Sequence, residues 1–240
     1  MYSKLDREPG PCGLGGPPSP LITPWQGWLI SPGQAPGTYA TGVKIPDMKL
    51  SAERLEELLR ALGGLLVDRG ARLEAVAIGG GSLLLLGLIR RPTRDLDLVA
   101  LVDAGGRLAT AQPMPTVLQT AVEDVARLYR LDPHWLNAAP TSLIDLGLPD
   151  GFMERAERRE YGGLVLRLAS RRDQIALKLY AAVDQGPDSK HVADLHALTP
   201  TAAELLDAAR WSRRHDPSDA FRQVIVQALA HFGVVDDGSF

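Results

Sequence analysis

Asp95 and Asp97 stand two residues apart in the run Arg94-Asp95-Leu96-Asp97-Leu98. In a β-strand, residues i and i+2 project to the same face, so the two carboxylates converge while Leu96 and Leu98 face the core. Two adjacent anions repel each other unless something cationic sits between them. A divalent metal meets that need, and Mg²⁺ prefers carboxylate and phosphate oxygens. Upstream, the apolar run Leu73–Ile78 ends in Gly79-Gly80-Gly81-Ser82. A strand that turns into a helix through glycines presents backbone N–H groups, and the missing Cβ atoms allow a phosphate to come close. Two better-known phosphate motifs fail on residues. The dinucleotide fingerprint needs a glycine at position 84, where Leu84 stands, and a Walker loop would end in Gly-Lys-Ser/Thr.

Regular patterning surrounds these residues. Ser51 can cap a helix whose apolar positions are Leu55, Leu58, Leu59, Leu62, Leu65 and Leu66, with Gly70 as its stop. Leu73–Ile78 predicts a buried strand, 82–88 a short helix, 90–94 a basic turn around Pro92, and 95–102 a second strand. A helix follows from 113 or 114 to 131, with Val117, Ala121, Val125 and Leu128 on one side. Residues 132–151 are loop-rich, and Leu164, Leu166 and Leu168 alternate as in a strand or hairpin arm. Helices are predicted over 170–183, 190–198, 202–214 and 219–232. The fold class is therefore α/β of the α+β kind, with a small mixed sheet flanked by helices and a mostly helical C-terminal part. No internal repeat is present.

The series Gly80-Gly81-Ser82, short helix, Arg91-x-Thr93-x-Asp95-Leu96-Asp97-Leu98 resembles the signature of the polymerase-β-like nucleotidyltransferase fold. It looks most like the minimal nucleotidyltransferases related to AbiEii-type and MenT-type toxins, and is similar to a largely uncharacterised bacterial family within that group. The resemblance runs from about Met48 to the C-terminus and includes His134-Trp135-Leu136-Asn137 and Gly147-Leu148-Pro149. It implies a Mg²⁺-dependent transfer of NMP from an NTP to an acceptor hydroxyl. RNA (a tRNA 3′ end above all) or a protein side chain would be the acceptor, and a cognate antitoxin a possible partner. It also implies a lysine and an aspartate on successive helices completing the site, and Lys178 and Asp194 match those positions. Ser82 and the amides of Gly79, Gly80 and Gly81 would hold phosphate oxygens, with Asp95 and Asp97 as metal ligands. Lys178 would offset phosphate charge, and Asp194 would orient Lys178 or take a proton from the acceptor. Periodicity alone favours for Lys178 a buried stem with a solvated amine, and for Asp194 a surface or capping carboxylate is the competing reading.

The resemblance also predicts a third metal-binding carboxylate on a later strand. The candidate strand, 164–170, has none, which leaves Asp145 or Asp173 as substitutes. A non-catalytic nucleotide- or protein-binding module that kept the fold is thus the alternative function, and a kinase using the same triphosphate pocket a weaker third. Arg90, Arg91 and Arg94 either bind triphosphate or an RNA backbone or simply solvate a turn. Trp135 and Trp211 are candidates for base stacking, though core packing is the commoner use of tryptophan in helical domains. The histidines show no metal-ligand spacing.

The chain has 240 residues, 45% hydrophobic and 23% charged, with a net charge of −3. That composition is globular, and the charge argues against a protein that coats nucleic acid through a broad basic surface. A single cysteine excludes an intrachain disulfide framework. No apolar run reaches the roughly 18–20 residues that span a bilayer, and no secretory signal pattern is present. The expected location is the cytoplasm. Residues 1–47 differ from the rest: nine of the 18 prolines fall there among glycines, with no period. They read as a disordered Pro/Gly-rich tail that binds a partner or, as the favoured expectation, as a mis-set start or vector-derived stretch with Met48 as the true start. Residues 48–170 read as a nucleotidyltransferase core and 171–240 as a helical region that completes the site.

Overall fold

The computed structural model describes residues 49–236, 238 and 240, so the expectations for residues 1–47 lie outside the described part. The described residues belong to one compact unit, Ile45–Phe240. Its first helix, α1 (Ala52–Asp68), starts where Ser51 accepts a hydrogen bond from the Arg54 N–H through its side chain. Leu55, Leu58, Leu59, Leu62 and Leu66 form the buried stripe, and Leu65 is half-buried. Gly63 belongs to the same stripe, because a Cβ there would collide with the Tyr161 carbonyl oxygen at 1.5 Å.

Strand β1 (Leu73–Ile78) then feeds helix α2 (Gly79–Leu85). The helix begins on the glycines themselves rather than at Ser82. Gly79 makes the turn with φ +75°, a conformation that glycine adopts without the steric penalty other residues meet. After the basic turn come β2 (Leu96–Val102), the short β3 (Leu108–Ala109) and α3 (Thr116–Tyr129). The buried side of α3 is Leu118, Ala121, Val122 and Val125. Leu128, expected on that side, is exposed. The loop-rich stretch holds β4 (Leu136–Asn137), a 3₁₀ turn over Ala139–Ser142, and the short helices α4 (Leu143–Leu146) and α5 (Phe152–Arg155). A hairpin follows, β5 (Glu157–Tyr161) and β6 (Leu164–Leu168). The C-terminal part is helical: α6 (Arg171–Gln185), α7 (Lys190–Leu198), α8 (Ala202–Arg213) and α9 (Asp219–His231).

The sheet has six strands in the order β3-β2-β1-β6-β5, with β4 also paired to β2. The β1–β2 pair is antiparallel, while β1–β6 and β2–β4 are parallel. Mixed pairing of this kind, with helices gathered on either side, is an α+β arrangement. A register shift between Val76 and Ala77 on the β1–β2 ladder ends in the pair Ile78↔Asp97. The parallel pairing with β4 sets Asn137 abreast of Asp97 on the other side.

Strand β5 has the sequence Glu-Arg-Arg-Glu-Tyr, which carries no apolar alternation. It forms by antiparallel pairing with β6, from Glu157↔Leu168 to Tyr161↔Leu164, and its charges find partners on the sheet edge: Arg159 with Glu56 at 3.0 Å and with Glu157 at 2.8 Å. Charged edge strands of this sort also resist pairing with a second chain. Helix α6 is capped by Ser170 and packs against α2, α7, α8 and α9. It therefore sits between the glycine turn and the C-terminal helices. No helix among the described residues is long and apolar enough to cross a membrane.

Candidate active site

Asp97 sits at the start of β2 with each carboxylate oxygen in a different environment. Oδ1 accepts a hydrogen bond from Asn137 Nδ2 at 3.1 Å. Oδ2 faces the glycine turn, since a Cβ built on Gly79 would lie 2.8 Å from it. Gly79 thus meets two demands at once, the positive φ and the close approach of a carboxylate.

The rest of the turn packs on the chain before Asp97. A Cβ on Gly81 would meet the Asp95 carbonyl oxygen and Leu96 Cδ1, both at 2.8 Å, and one on Gly80 would meet Thr93 Oγ1 at 3.2 Å. Gly79 and Gly80 are half-buried, whereas Gly81 and Ser82 are buried. Ser82 has no exposed surface, and its hydroxyl makes no hydrogen bond among the described residues. The accessible part of the turn is therefore Gly79-Gly80, with Gly81 and Ser82 beneath it.

Asp95 lies one residue ahead of β2 and is near enough to Asp97 for the charges to interact. Burial, and then the charge of Asp95, pushes the Asp97 carboxyl up to about 6, against the Asn137 hydrogen bond and the positive charges of Lys190 and Lys178. Asp95 is raised as well, by burial, with Lys190 and Arg94 opposing and Asp132 adding to the rise. Burial leads both shifts, and the repulsion between the two carboxylates adds to the rise of Asp97.

Lys178 enters from α6. It is 5% exposed, and its ammonium lies 2.8 Å from an oxygen of Asp194 on α7, which is 1% exposed. Asp194 is also held bidentate by Arg91, from Nε at 2.8 Å and a terminal nitrogen at 2.7 Å. Three segments are joined in this way: the basic turn, α6 and α7. Burial opposes ionisation of Asp194, but Lys178 and Arg91 outweigh it and hold the carboxyl below its usual range. Burial pushes the Lys178 ammonium down, with Asp194 opposing and Lys190 and Arg91 adding to the drop. His191, beside this cluster, is pushed down to about 3 by burial and then by Lys178 and Lys190, so it is neutral.

The predicted residues thus fall into two groups. Asp95, Asp97 and the Gly79–Ser82 turn form one. Lys178, Asp194 and Arg91 form the second, and the field of Lys178 reaches Asp97. Arg91 pairs with Asp194 while its side chain stays partly exposed, with a terminal nitrogen 3.7 Å from a Cβ built on Gly80, and Arg94 is exposed beside Asp95. Trp135 is core, its indole N–H donating to the Val122 carbonyl at 3.2 Å, and Trp211 is buried edge-on to Tyr180. Neither presents a face to a base.

Of the two substitutes for a third acid, Asp173 is fully buried and tied to Arg155 at 2.5 Å and to the Ser170 hydroxyl at 2.5 Å. Asp145 is exposed on α4. Among the described residues, no three His, Cys, Asp or Glu side chains are grouped to hold a metal. The two aspartates by themselves offer the hard oxygen donors that suit Mg²⁺ or Mn²⁺.

Three residues of the site were not assigned a role by the sequence. Gln174 accepts a hydrogen bond from the Gly79 N–H at 3.2 Å and has no exposed surface. Its spacing from Lys178, one helical turn, was the available signal. Lys190 acts on both aspartates through its charge. Asn137 was named only as the end of the resembling stretch His134-Trp135-Leu136-Asn137 and given no role, because that role depends on the β2–β4 register. Comparison with protein-family models, curated proteins and solved structures returned no match.

Proposed function

We propose that the chain is a nucleotidyltransferase that moves NMP from an NTP to an acceptor hydroxyl with the help of Mg²⁺. The observation that carries this reading is the Asp97 carboxylate set against the glycine turn, with Asp95 near enough for the two charges to interact and buried Lys178 within reach of Asp97. Asp95 and Asp97 would hold the cation, which supplies charge neutralisation at the phosphates. Gly79 and Gly80 let the turn lie against Asp97 Oδ2 and Thr93, which a Cβ on either would crowd, and a phosphate would be met at the partly exposed backbone of these two residues.

Lys178 contributes a positive charge that cannot be screened by bulk water. In the transfer, the acceptor hydroxyl would give up its proton to water as its oxygen bonds to the α-phosphorus and the bond to the bridging oxygen of pyrophosphate breaks. Negative charge grows on that leaving group, and a fixed ammonium in a dry site stabilises it more than a solvated one could. Asp194 is a poor proton acceptor, since two cations hold it ionised. It serves instead to aim Lys178, and Arg91 holds Asp194 from the other side. Gln174 ties the glycine turn to the helix that bears Lys178, so that the two groups keep one spacing.

RNA, especially a tRNA 3′ end, is the acceptor that fits the sequence resemblance best, and a role as the toxin of a toxin–antitoxin pair goes with it. The test is incubation with each α-labelled NTP, Mg²⁺ and either total RNA or lysate protein, beside the Asp95→Ala, Asp97→Ala double variant. Label should pass to one acceptor class with the wild type alone. A second reading, a nucleotide-binding module without catalysis, is favoured by the lack of a third grouped carboxylate among the described residues. Nucleotide binding without transfer to any acceptor is the result that selects it.

A further inference from the structure

Asn137 belongs to β4, beside β2, and is in register with Asp97. Its side-chain oxygen accepts the Ala139 N–H at 2.9 Å. That bond fixes the orientation of the amide, because an N–H can donate only to the oxygen. The NH₂ group is then turned to Asp97 Oδ1, 3.1 Å away. One lone pair of Oδ1 is thereby taken, and the carboxylate plane is held with Oδ2 facing Gly79. We propose that Asn137 is the positioning residue of the site: it fixes the Asp97 carboxylate so that Oδ2 is aimed at the glycine turn when a cation is bound.

This inference rests on the reading of Asp95 and Asp97 as cation ligands. It also accounts for the position next to Asp97 on β4, where a carboxylate in place of the amide would repel Oδ1. The residue would act through Asp97, to which its NH₂ group is bonded. Groups that hold a metal ligand in place commonly alter metal affinity by about 10–100-fold when removed.

The experiment is a Mg²⁺ titration of the ¹⁵N-labelled full-length chain at constant pH. The side-chain NH₂ signals of Asn137 are assigned by their loss in Asn137→Ser. In the wild type they should shift and saturate together with the backbone amides of Asp95 and Asp97, and in Asp97→Asn they should stop responding. Asn137→Ala, checked for an otherwise preserved spectrum, should weaken Mg²⁺ by about tenfold. Saturable shifts at Asp95 and Asp97 without movement of the Asn137 NH₂, or unchanged affinity in both Asn137 variants, overturn the inference while leaving the cation site in place. No response anywhere in the wild type overturns the cation site itself, and the inference with it.

Discussion

The Lys178 ammonium and the Asp194 carboxylate meet at 2.8 Å with both side chains almost sealed from solvent. Arg91 shares the same carboxylate, so one anion serves two cations. Removing the anion and removing one cation therefore have different consequences. Asp194→Ala leaves two positive groups at the cluster with no counter-charge, a change that typically costs about 3–5 kcal/mol when a buried ion pair is broken. Lys178→Met leaves Asp194 paired with Arg91. Thermal unfolding should thus show a large loss for Asp194→Ala and a small one for Lys178→Met. Transfer activity should fall at least about a hundredfold in Lys178→Met despite its intact fold.

The raised Asp97 carboxyl links stability to pH. An acid whose folded-state value lies above its unfolded one stabilises the fold in its protonated form. That contribution is full below about 3.8, the ordinary value, and is lost as pH rises through about 6. Asp97→Asn keeps an acceptor for Asn137 and removes the charge. Without Mg²⁺ it should be more stable than the wild type at pH 7.5, by on the order of 2 kcal/mol, or about 5 °C. The difference should vanish near pH 4. In the wild type, Mg²⁺ should close the gap at pH 7.5 and protect little at pH 5.

Gly79→Ala combines a φ of +75° with a Cβ set 2.8 Å from Asp97 Oδ2. The backbone penalty alone is about 1–2 kcal/mol, and the displaced carboxylate should cost activity as well. Gly70→Ala has a similar φ of +64° with nothing within 4 Å. The pair separates strain from site geometry: both variants should lose comparable stability, and only Gly79→Ala should lose transfer.

Gln174→Leu removes the acceptor of the Gly79 N–H. The expected result is a loss of about 1–2 kcal/mol in stability, from an amide left unpaired beside the strand end. A fall in the transfer rate at saturating NTP should accompany it, since the variant loosens the spacing between the turn and Lys178 rather than removing a charge.

Much of this arrangement could be read before any fold was known, and the omissions have physical causes. Periodicity found α1, β1, α6 and the later helices because their buried stripes follow the spacing of one element. It missed β5 because Glu157–Tyr161 is an exposed edge whose partners, Glu56 among them, lie far away in sequence. It placed Leu128 on the buried side of α3, though Leu118 and Val122 take that side. At the site, Asp95, Asp97 and the glycines were legible as short local motifs. Asn137 and Gln174 were not, because each acts through one hydrogen bond across the fold. Arg91 was read by its basic neighbours, whereas its charge belongs to Asp194 on a helix that follows about a hundred residues later.

The most direct test follows both ends of the triphosphate at once. The wild type and the Asp95→Ala, Asp97→Ala variant are given α-labelled and, separately, γ-labelled NTPs with Mg²⁺ and total RNA. The account predicts that the wild type alone leaves α-label on the acceptor while γ-label departs as pyrophosphate. Retention of γ-label without α-label, equal transfer by the double variant, or nucleotide binding with no transfer to RNA or protein would contradict it.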